Sequence, residues 1–289
     1  MRSSTIREIF FFIIRISLVC KIFKYIYQKR SISIYTLHNP KLSTLEKTLG
    51  YLKKNYKTIS LQNLIEKRKD IESFPDYSAI VTFDDGFKEL HSFAELFKNN
   101  NIKPTVFLVS GMVDTNKNFW WTHTSISEKL KQISDSHRIA FLEKKGYIFS
   151  KEYPVRHSLN REEIEEMSPY VDFQSHSLSH PILTQCSDDK SFNEIKESHS
   201  SLSLILANKI NSFAYPNGNY GEREVSALKS NNYLCGLTCK NGFNNKETSF
   251  YELNRISLKD NMGLNEAIVR ISGFWGFIKN LFEEKFTFV

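Results

Sequence analysis

The sequence predicts an α/β protein, a distorted (β/α) barrel of about seven parallel strands with a helix in front of it. Two observations carry that expectation. Short apolar runs alternate with amphipathic helical patterns, and the three segments richest in chemistry each sit directly after one of the runs. Strand–helix alternation implies parallel strands joined by crossovers, and seven strands suggest a barrel or partial barrel over an open sheet. At 289 residues, 40% apolar and 25% charged, the chain can form one large domain or two small ones with a substantial core.

The N-terminal segment, 1–30, reads as a helix. Ile9 to Ile14 is an unbroken apolar run, but Arg15, Lys21 and Lys24 interrupt its continuation toward residue 30. That is short of the roughly 20 apolar residues a spanning helix needs, and the segment has no small-residue cleavage site after it. On a helical wheel Ser17, Lys21, Lys24 and Gln28 share one stripe, with Phe, Ile, Leu and Tyr around the rest. The pattern suits a basic amphipathic helix at a membrane surface, with peripheral contact through residues 5–29. It suits equally a helix packed on its own domain, and an uncleaved anchor is a third, weaker option.

The candidate strands are Ser31–Leu37, Ser78–Phe83, Pro104–Val109, Val171–Gln174, Ser212–Tyr215, Tyr233–Thr238 and Tyr251–Ser257. Between them, Leu42, Leu45, Leu49 and Leu52, and likewise Phe87, Leu90, Ala94 and Phe97, repeat at helical spacing. The stretch from about 115 to 160 breaks the rhythm and reads as an insertion. Its Trp120 and Trp121 suit packing, or alternatively a wall on which a sugar ring stacks. Near the end, Leu264, Ile268, Ile271, Trp275, Ile278 and Phe282 form a helical stripe, weakened by Gly273 and Gly276, that should cover the barrel. With no repeats and no linker, one catalytic domain over 31–289 is expected.

Net charge is +7 with a pI near 9.0, which favours anionic partners without choosing among them. The lysines are scattered and no nucleic-acid motif is present, so no nucleic-acid partner is expected. The four cysteines, at 20, 186, 235 and 239, make no disulfide framework and no zinc-ribbon pair. Cys235 and Cys239 read as small buried hydrophobes.

The chemistry lies in Thr82-Phe83-Asp84-Asp85-Gly86, in Ser175-His176-Ser177-Leu178-Ser179-His180, and in Ala214-Tyr215-Pro216-Asn217-Gly218. In barrels of parallel strands, groups at strand C-termini converge on one rim. Taken alone, Asp84-Asp85-Gly86 suits a turn, and two histidines four apart suit an exposed surface. Together, one carboxylate and two histidines are a three-ligand set for a catalytic zinc, leaving the second carboxylate as general base on a metal-bound water. The same three ligand types also serve non-haem iron, although acid-first order is unusual there.

These segments resemble the motifs of the polysaccharide deacetylase family, the NodB-like carbohydrate esterases. The first two match its first and second motifs, and Phe213-Ala-Tyr-Pro-Asn-Gly218 resembles its third in variant form. The flanking Tyr51–Ser60 and Lys103–Leu108 agree, and the resemblance covers about 34–260. It implies the NodB-homology barrel, with Asp85, His176 and His180 binding zinc or another divalent ion and Asp84 activating water. It implies a backbone N–H at Asn217 that helps hold the oxyanion, and Tyr215 and Pro216 beside the substrate, an N-acetylated polysaccharide or glycan. The products would be acetate and a free amino sugar.

Two departures stand out. The family's third motif carries an arginine where this chain has Ala214, and no histidine comes after His199 to serve as the family's general acid. Arg255, at the end of the last strand, is the candidate replacement for the arginine. His38, at the end of the first strand, is a candidate pocket residue or acid, with His123 a weaker one. The other histidines, at 91, 137, 157 and 199, read as surface residues. Two alternatives keep part of this reading: a deacylase of another small amide, and a glycan-binding protein without turnover. The compartment stays open between the bacterial envelope, a membrane-associated state and the cytoplasm.

Overall fold

The computed structural model describes residues 2–207 and 209–286, with side chains placed within 6–281. The strands are β1 (Ile32–Leu37), β2 (Lys57–Thr58), β3 (Ser78–Phe83), β4 (Thr105–Leu108), β5 (Asp172–Ser175), β6 (Ser212–Ala214), β7 (Cys235–Leu237) and β8 (Ile256–Ser257). Seven lie along one path, β7-β6-β5-β4-β3-β1-β8, with β2 beside β3, and all pair in parallel. The sheet curls into a half-barrel. Its open side is drawn together where Gly236 donates to the Phe250 carbonyl (2.8 Å) and Leu253 donates back to Gly236 (2.9 Å).

The helices are α1 (Arg2–Ile16), α2 (Val19–Tyr27), α3 (Leu42–Asn55), α4 (Leu61–Glu66), α5 (Ala94–Asn100), α6 (Ser127–Leu130), α7 (Asp135–Lys144), α8 (Arg161–Met167), α9 (Asp188–Ile205), α10 (Glu222–Ser230), α11 (Leu264–Ile271) and α12 (Phe274–Phe286).

Strands covered on both faces read as continuous apolar runs, which is why β1 and β3 are buried at every position. Alternate residues then divide between two cores. Tyr35, Leu37, Val81, Phe83, Val106 and Phe213 point outward to the helices. Ile34, Ile80, Phe107, Ala214 and Leu237 point into the barrel, which α4 plugs from its N-terminal end with Leu61, Leu64 and Ile65. The inward parity carries Thr36 on β1, Thr82 on β3 and Gln174 on β5 toward the rim, and beyond them His38, Asp84 and His176.

The insertion contains α6 and α7 and has its own small cluster of Trp120, Leu130, Leu142 and Tyr147. It is tied to the first motif by Leu159, which donates to the Gly86 carbonyl at 2.9 Å.

Several expectations need correction. The N-terminal helix is two helices, because Leu18 adopts the left-handed conformation (φ 63°) and breaks the chain direction. Its polar stripe is divided: Ser17 and Lys21 are exposed, while Gln28 is buried and Lys24 reaches the Asn55 carbonyl. The C-terminal stripe is likewise two helices, divided at Gly273 (φ +80°). Part of it covers α1 and α3 as well as β8, and the Phe282 side chain lies outside the described residues. Cys235 is buried, but Cys239 lies past the end of β7 and is exposed. The two-residue β2 has no counterpart among the expected strands.

Candidate metal centre

Backbone turns at the strand ends build the site. β3 runs straight into Asp84, whose N–H donates to the Leu37 carbonyl (3.0 Å) and so ties it to the end of β1. Asp85 then takes a left-handed conformation (φ 72°), as does Gly86 (φ 68°). A Cβ at Gly86 would lie 2.6 Å from Leu108 Cδ2, so the turn needs both the positive φ and the missing side chain. Ser177 (φ 66°), His180 (φ 57°) and Asn217 (φ 57°) also adopt this conformation. Four non-glycine residues in an unfavourable region at one rim is the clustering seen where geometry serves a site.

The serines before and between the histidines shape their loop. Ser177 Oγ accepts from the His180 N–H (2.9 Å), and Ser175 Oγ meets Ser198 Oγ of α9 (2.7 Å). Ser179 donates through its N–H (2.8 Å) and its hydroxyl (2.5 Å) to Glu194, a buried carboxylate on α9. Burial pushes the Glu194 carboxyl up, against the hydrogen bonds from Ser179 that lower it. The Ser177 and Leu178 carbonyls accept from Ser110 and Gly111 beyond β4.

Asp85, His176 and His180 offer three donor atoms within 4.8 Å of one another, all buried. Nε2 of each histidine lies 3.5 Å from Asp85 Oδ1. Ligands about 2.1 Å from a tetrahedral zinc are about 3.4 Å apart, so the spacing fits one ion. The donor set fits too. His176 Nδ1 meets the Ala214 carbonyl at 2.8 Å, which makes Nδ1 the protonated nitrogen and leaves the Nε2 lone pair facing Asp85. Asp85 Oδ1 is buried without a hydrogen-bond partner, a costly state that a cation would relieve. Burial raises the Asp85 carboxyl and is the largest cause that lowers the His180 imidazole well below its usual range. Both shifts mark a pocket that disfavours bare charge.

Asp84 stands apart from this trio. Its carboxylate accepts two hydrogen bonds from Arg255, from Nη1 to Oδ1 (2.7 Å) and from Nη2 to Oδ2 (2.8 Å). Burial alone would push the Asp84 carboxyl up. The Arg255 charge and its hydrogen bonds outweigh that and hold it well below the usual carboxylate range. Arg255 is fully buried, and Nε donates to the Thr238 carbonyl (2.7 Å) while Nη1 reaches Thr36 Oγ1 (3.2 Å).

The other candidates differ in how close they come to this centre. His38 is half-buried at the rim, close enough for its charge to lower both Asp84 and Asp85. Its backbone N–H donates to Asp260 Oδ1 (3.1 Å). Asn217 is exposed, on a segment held against His176 through Ala214. Tyr215 is fully buried, with its hydroxyl on the Tyr251 carbonyl (3.0 Å), so its ring offers no surface to a substrate. Pro216 is buried as well. Trp120 is also buried, its indole N–H donating to the His180 carbonyl (2.9 Å), which makes it a support and not a stacking wall. Trp121 is half-exposed, and its ring lies 4.2 Å from that of His180. His123, remote from the trio in these contacts, meets the Lys145 carbonyl (3.1 Å).

Sequence reasoning missed Glu194, Cys239 and Asp260. Glu194 left a signal, since it falls on the buried stripe of α9 with Ser191, Ile195, Ser198 and Leu202. Cys239, 3.8 Å from Arg255 Nη2, and Asp260 lie in irregular segments and left none.

A family model described as polysaccharide deacetylase matches residues 72–236, more than half of the chain. Among curated proteins none matches the sequence. The fold is similar to that of the Streptococcus pyogenes deacetylase PplD, solved in complex with acetate, at 20% identity and a TM-score of 0.63 over 84% of this chain and 99% of that one. It is similar to IcaB from Ammonifex degensii at 14% identity and a TM-score of 0.62, over 86% of this chain and 99% of that one. A polysaccharide deacetylase from Bacillus cereus aligns at 18% identity and a TM-score of 0.61, over 84% of this chain and 69% of that one.

Proposed function

The chain belongs to the polysaccharide deacetylase family, and from that premise we propose that it is a metal-dependent hydrolase removing N-acetyl groups from the amino sugars of a polysaccharide or glycan. The observation that carries the reading is the separation of two adjacent carboxylates into different environments. Asp85 faces two imidazoles with an orphaned oxygen, and Asp84 is locked to Arg255. Asp85, His176 and His180 would hold a zinc or similar divalent ion, which when bound supplies a Lewis acid that polarises the acetamide carbonyl and makes water more acidic.

This chain's own residues do the rest. Arg255 keeps Asp84 ionised and oriented, so that it accepts a proton from the attacking water. A carboxyl held this low is a weak base and, once protonated, a strong acid, so it gives the proton up readily. The Asn217 backbone N–H donates to the oxygen on which negative charge develops. His38, at the same rim, is assigned to protonate the departing amine, standing in for the acid that other family members place later in the chain. The water oxygen ends on acetate and its protons on the amine and the medium. Acetate is also the molecule in the S. pyogenes complex. We assign contact with the sugar to Trp121, which is half-exposed beside His180, and not to the buried Trp120.

The test is acetate release from chitooligosaccharides by zinc-loaded full chain, compared with Asp84→Asn. We expect the variant to keep its bound zinc and to lose about a thousandfold or more in turnover. Zinc-loaded protein that binds these sugars but releases no acetate would instead identify a glycan-binding protein.

A further inference from the structure

α2 sends polar as well as apolar side chains into the domain and leaves several large apolar ones outside. Two members of the polar stripe, Lys24 and the capping Gln28, face the protein, while Ser17 and Lys21 stay exposed. Gln28 is fully buried, donating to the Ile271 carbonyl (2.7 Å) and accepting from the Tyr56 hydroxyl (2.7 Å). Lys24 donates to the Asn55 carbonyl (2.7 Å) and lies over the ring of Tyr56 at 3.8 Å. Lys24 and Gln28 share the domain side with Cys20 and Phe23, so Ile22, Tyr25 and Ile26 are turned out beside Lys21. Only Phe11, Cys20 and Phe23 of the pair α1–α2 are buried among the hydrophobic residues described.

The consequence is large. Of the 20 exposed large apolar side chains among the described residues, 11 fall between residues 6 and 27. Ile9, Ile13, Ile16, Ile22 and Ile26 are each more than half exposed. Phe277 of α12 continues the patch, its ring 5.3 Å from that of Phe23. Contiguous exposed apolar surface of this kind marks an interaction site.

We propose that this face docks on the surface of an anionic lipid bilayer, with α1 and α2 lying in the plane of the interface. Among the described residues no helix is long and apolar enough to cross a membrane, so the face meets the bilayer from one side. Charge selects the occupant. Of the six cationic side chains in residues 6–30, Arg7 pairs with Glu266 and Lys24 turns to the Asn55 carbonyl, which leaves Arg15, Lys21, Lys29 and Arg30 against one acid, Glu8. That acid is turned inward, accepting from Asn265 Nδ2 (3.1 Å), while Lys21 and Arg30 are exposed. A two-fold dimer through the same face would set cation against cation, whereas anionic headgroups neutralise them. This goes beyond the deacetylase reading and does not depend on it.

Flotation of the full chain with vesicles of three parts phosphatidylcholine to one part phosphatidylglycerol tests the proposal. The wild type should float with these vesicles, less with pure phosphatidylcholine, and less at high salt. A combined Ile13→Ser, Ile22→Ser, Ile26→Ser variant should require at least about tenfold more lipid for half-binding. Leu204→Ser, at an 83% exposed position on α9, should float like the wild type. If the triple variant fails to fold, Lys21→Glu with Arg30→Glu should still weaken flotation on the anionic vesicles alone. Wild type that stays unbound, or a triple variant that binds as well as wild type, overturns the proposal. So does a concentration-dependent dimer that the triple substitution dissociates while neither protein floats.

Discussion

The rim that carries the candidate metal site and the outer face of α1–α2 break the ordinary rule of burial in opposite directions. At the rim, Asp84, Asp85, His176, His180 and Arg255 are all buried. On the outer face, isoleucines stand open to solvent. Buried charge and exposed apolar patches are the informative departures from an otherwise ordinary distribution. Each region completes half of its chemistry within the chain. Asp84 finds Arg255, while Asp85 Oδ1 finds no partner. Lys24 and Gln28 find carbonyls and a tyrosine, while the isoleucines beside them stay uncovered. What the fold leaves unmet in each place names the kind of partner that would meet it, a cation at the rim and an apolar phase on the face.

The contrast breaks most sharply at the rim. His176→Ala should abolish zinc retention on gel filtration and reduce acetate release by at least about three orders of magnitude. Chelation gives a readout independent of turnover. An ion bound only by the native state raises its stability, so removing zinc should lower the wild-type Tm and leave that of His176→Ala unchanged. Equal Tm with and without chelator would show that the orphaned Asp85 oxygen is not answered by a metal.

The Arg255–Asp84 pair comes next. Arg255→Ala leaves a buried carboxylate unpaired, at a cost of about 3–5 kcal/mol, readable by denaturant unfolding. Arg255→Lys restores charge but not the two-pronged geometry, so it should recover stability only in part. The sign with pH comes from the direction of the shift. The folded Asp84 carboxyl titrates below its unfolded value of 3.8. The pair therefore stabilises fully above that value and loses its contribution as pH falls toward the lower folded value. Without Arg255 the carboxyl rises, and the acid limb of both stability and activity should move to higher pH. An unshifted acid limb in Arg255→Ala would detach Arg255 from the function of Asp84.

Much of this is readable from residue order, and the failures have physical causes. Strands buried on both faces leave continuous apolar runs, so six of the seven expected strands fall within a few residues of those observed, and the seventh keeps only its last two residues, Ile256–Ser257. The same double burial hides parity, because nothing in such a run says which alternate residue enters the barrel. Tyr215, which the family resemblance puts beside a substrate, packs outward, and it is Ala214 that points inward. The paired tryptophans pose the same difficulty within an irregular segment, where Trp120 turns inward and Trp121 does not. Helix breaks at Leu18 and Gly273 depend on single left-handed residues, which periodicity averages over. The seating of α2 is the least legible feature, since a helical wheel shows that two faces differ and not how the domain divides them, with Lys24 taken in and Lys21 left out.

Lys24 offers the smallest and most local test of that seating. Burial among Tyr56, Tyr77 and the end of α3 lowers its ammonium from 10.5 to about 8. Below that folded value both folded and unfolded states carry the charge, and the native state bears the burden of burying it. Between about 8 and 10.5 the native state releases the proton first, so the unfolded state binds more protons and this group makes stability rise with pH. Other groups complicate the absolute curve. Cys186, pushed up to about 12 by burial, keeps its proton in the native state while the unfolded thiol loses it near 9.0, which opposes the rise. The difference between wild type and Lys24→Met cancels such background. Relative to the methionine variant, the wild type should gain on the order of 1 kcal/mol between about pH 7.5 and about 9.5, once partial solvent access is discounted. A flat difference across that interval would mean that the ammonium is not held against the tyrosines. Lys24 would then be free to leave the domain side of α2, and Ile22, Tyr25 and Ile26 would no longer have to face outward.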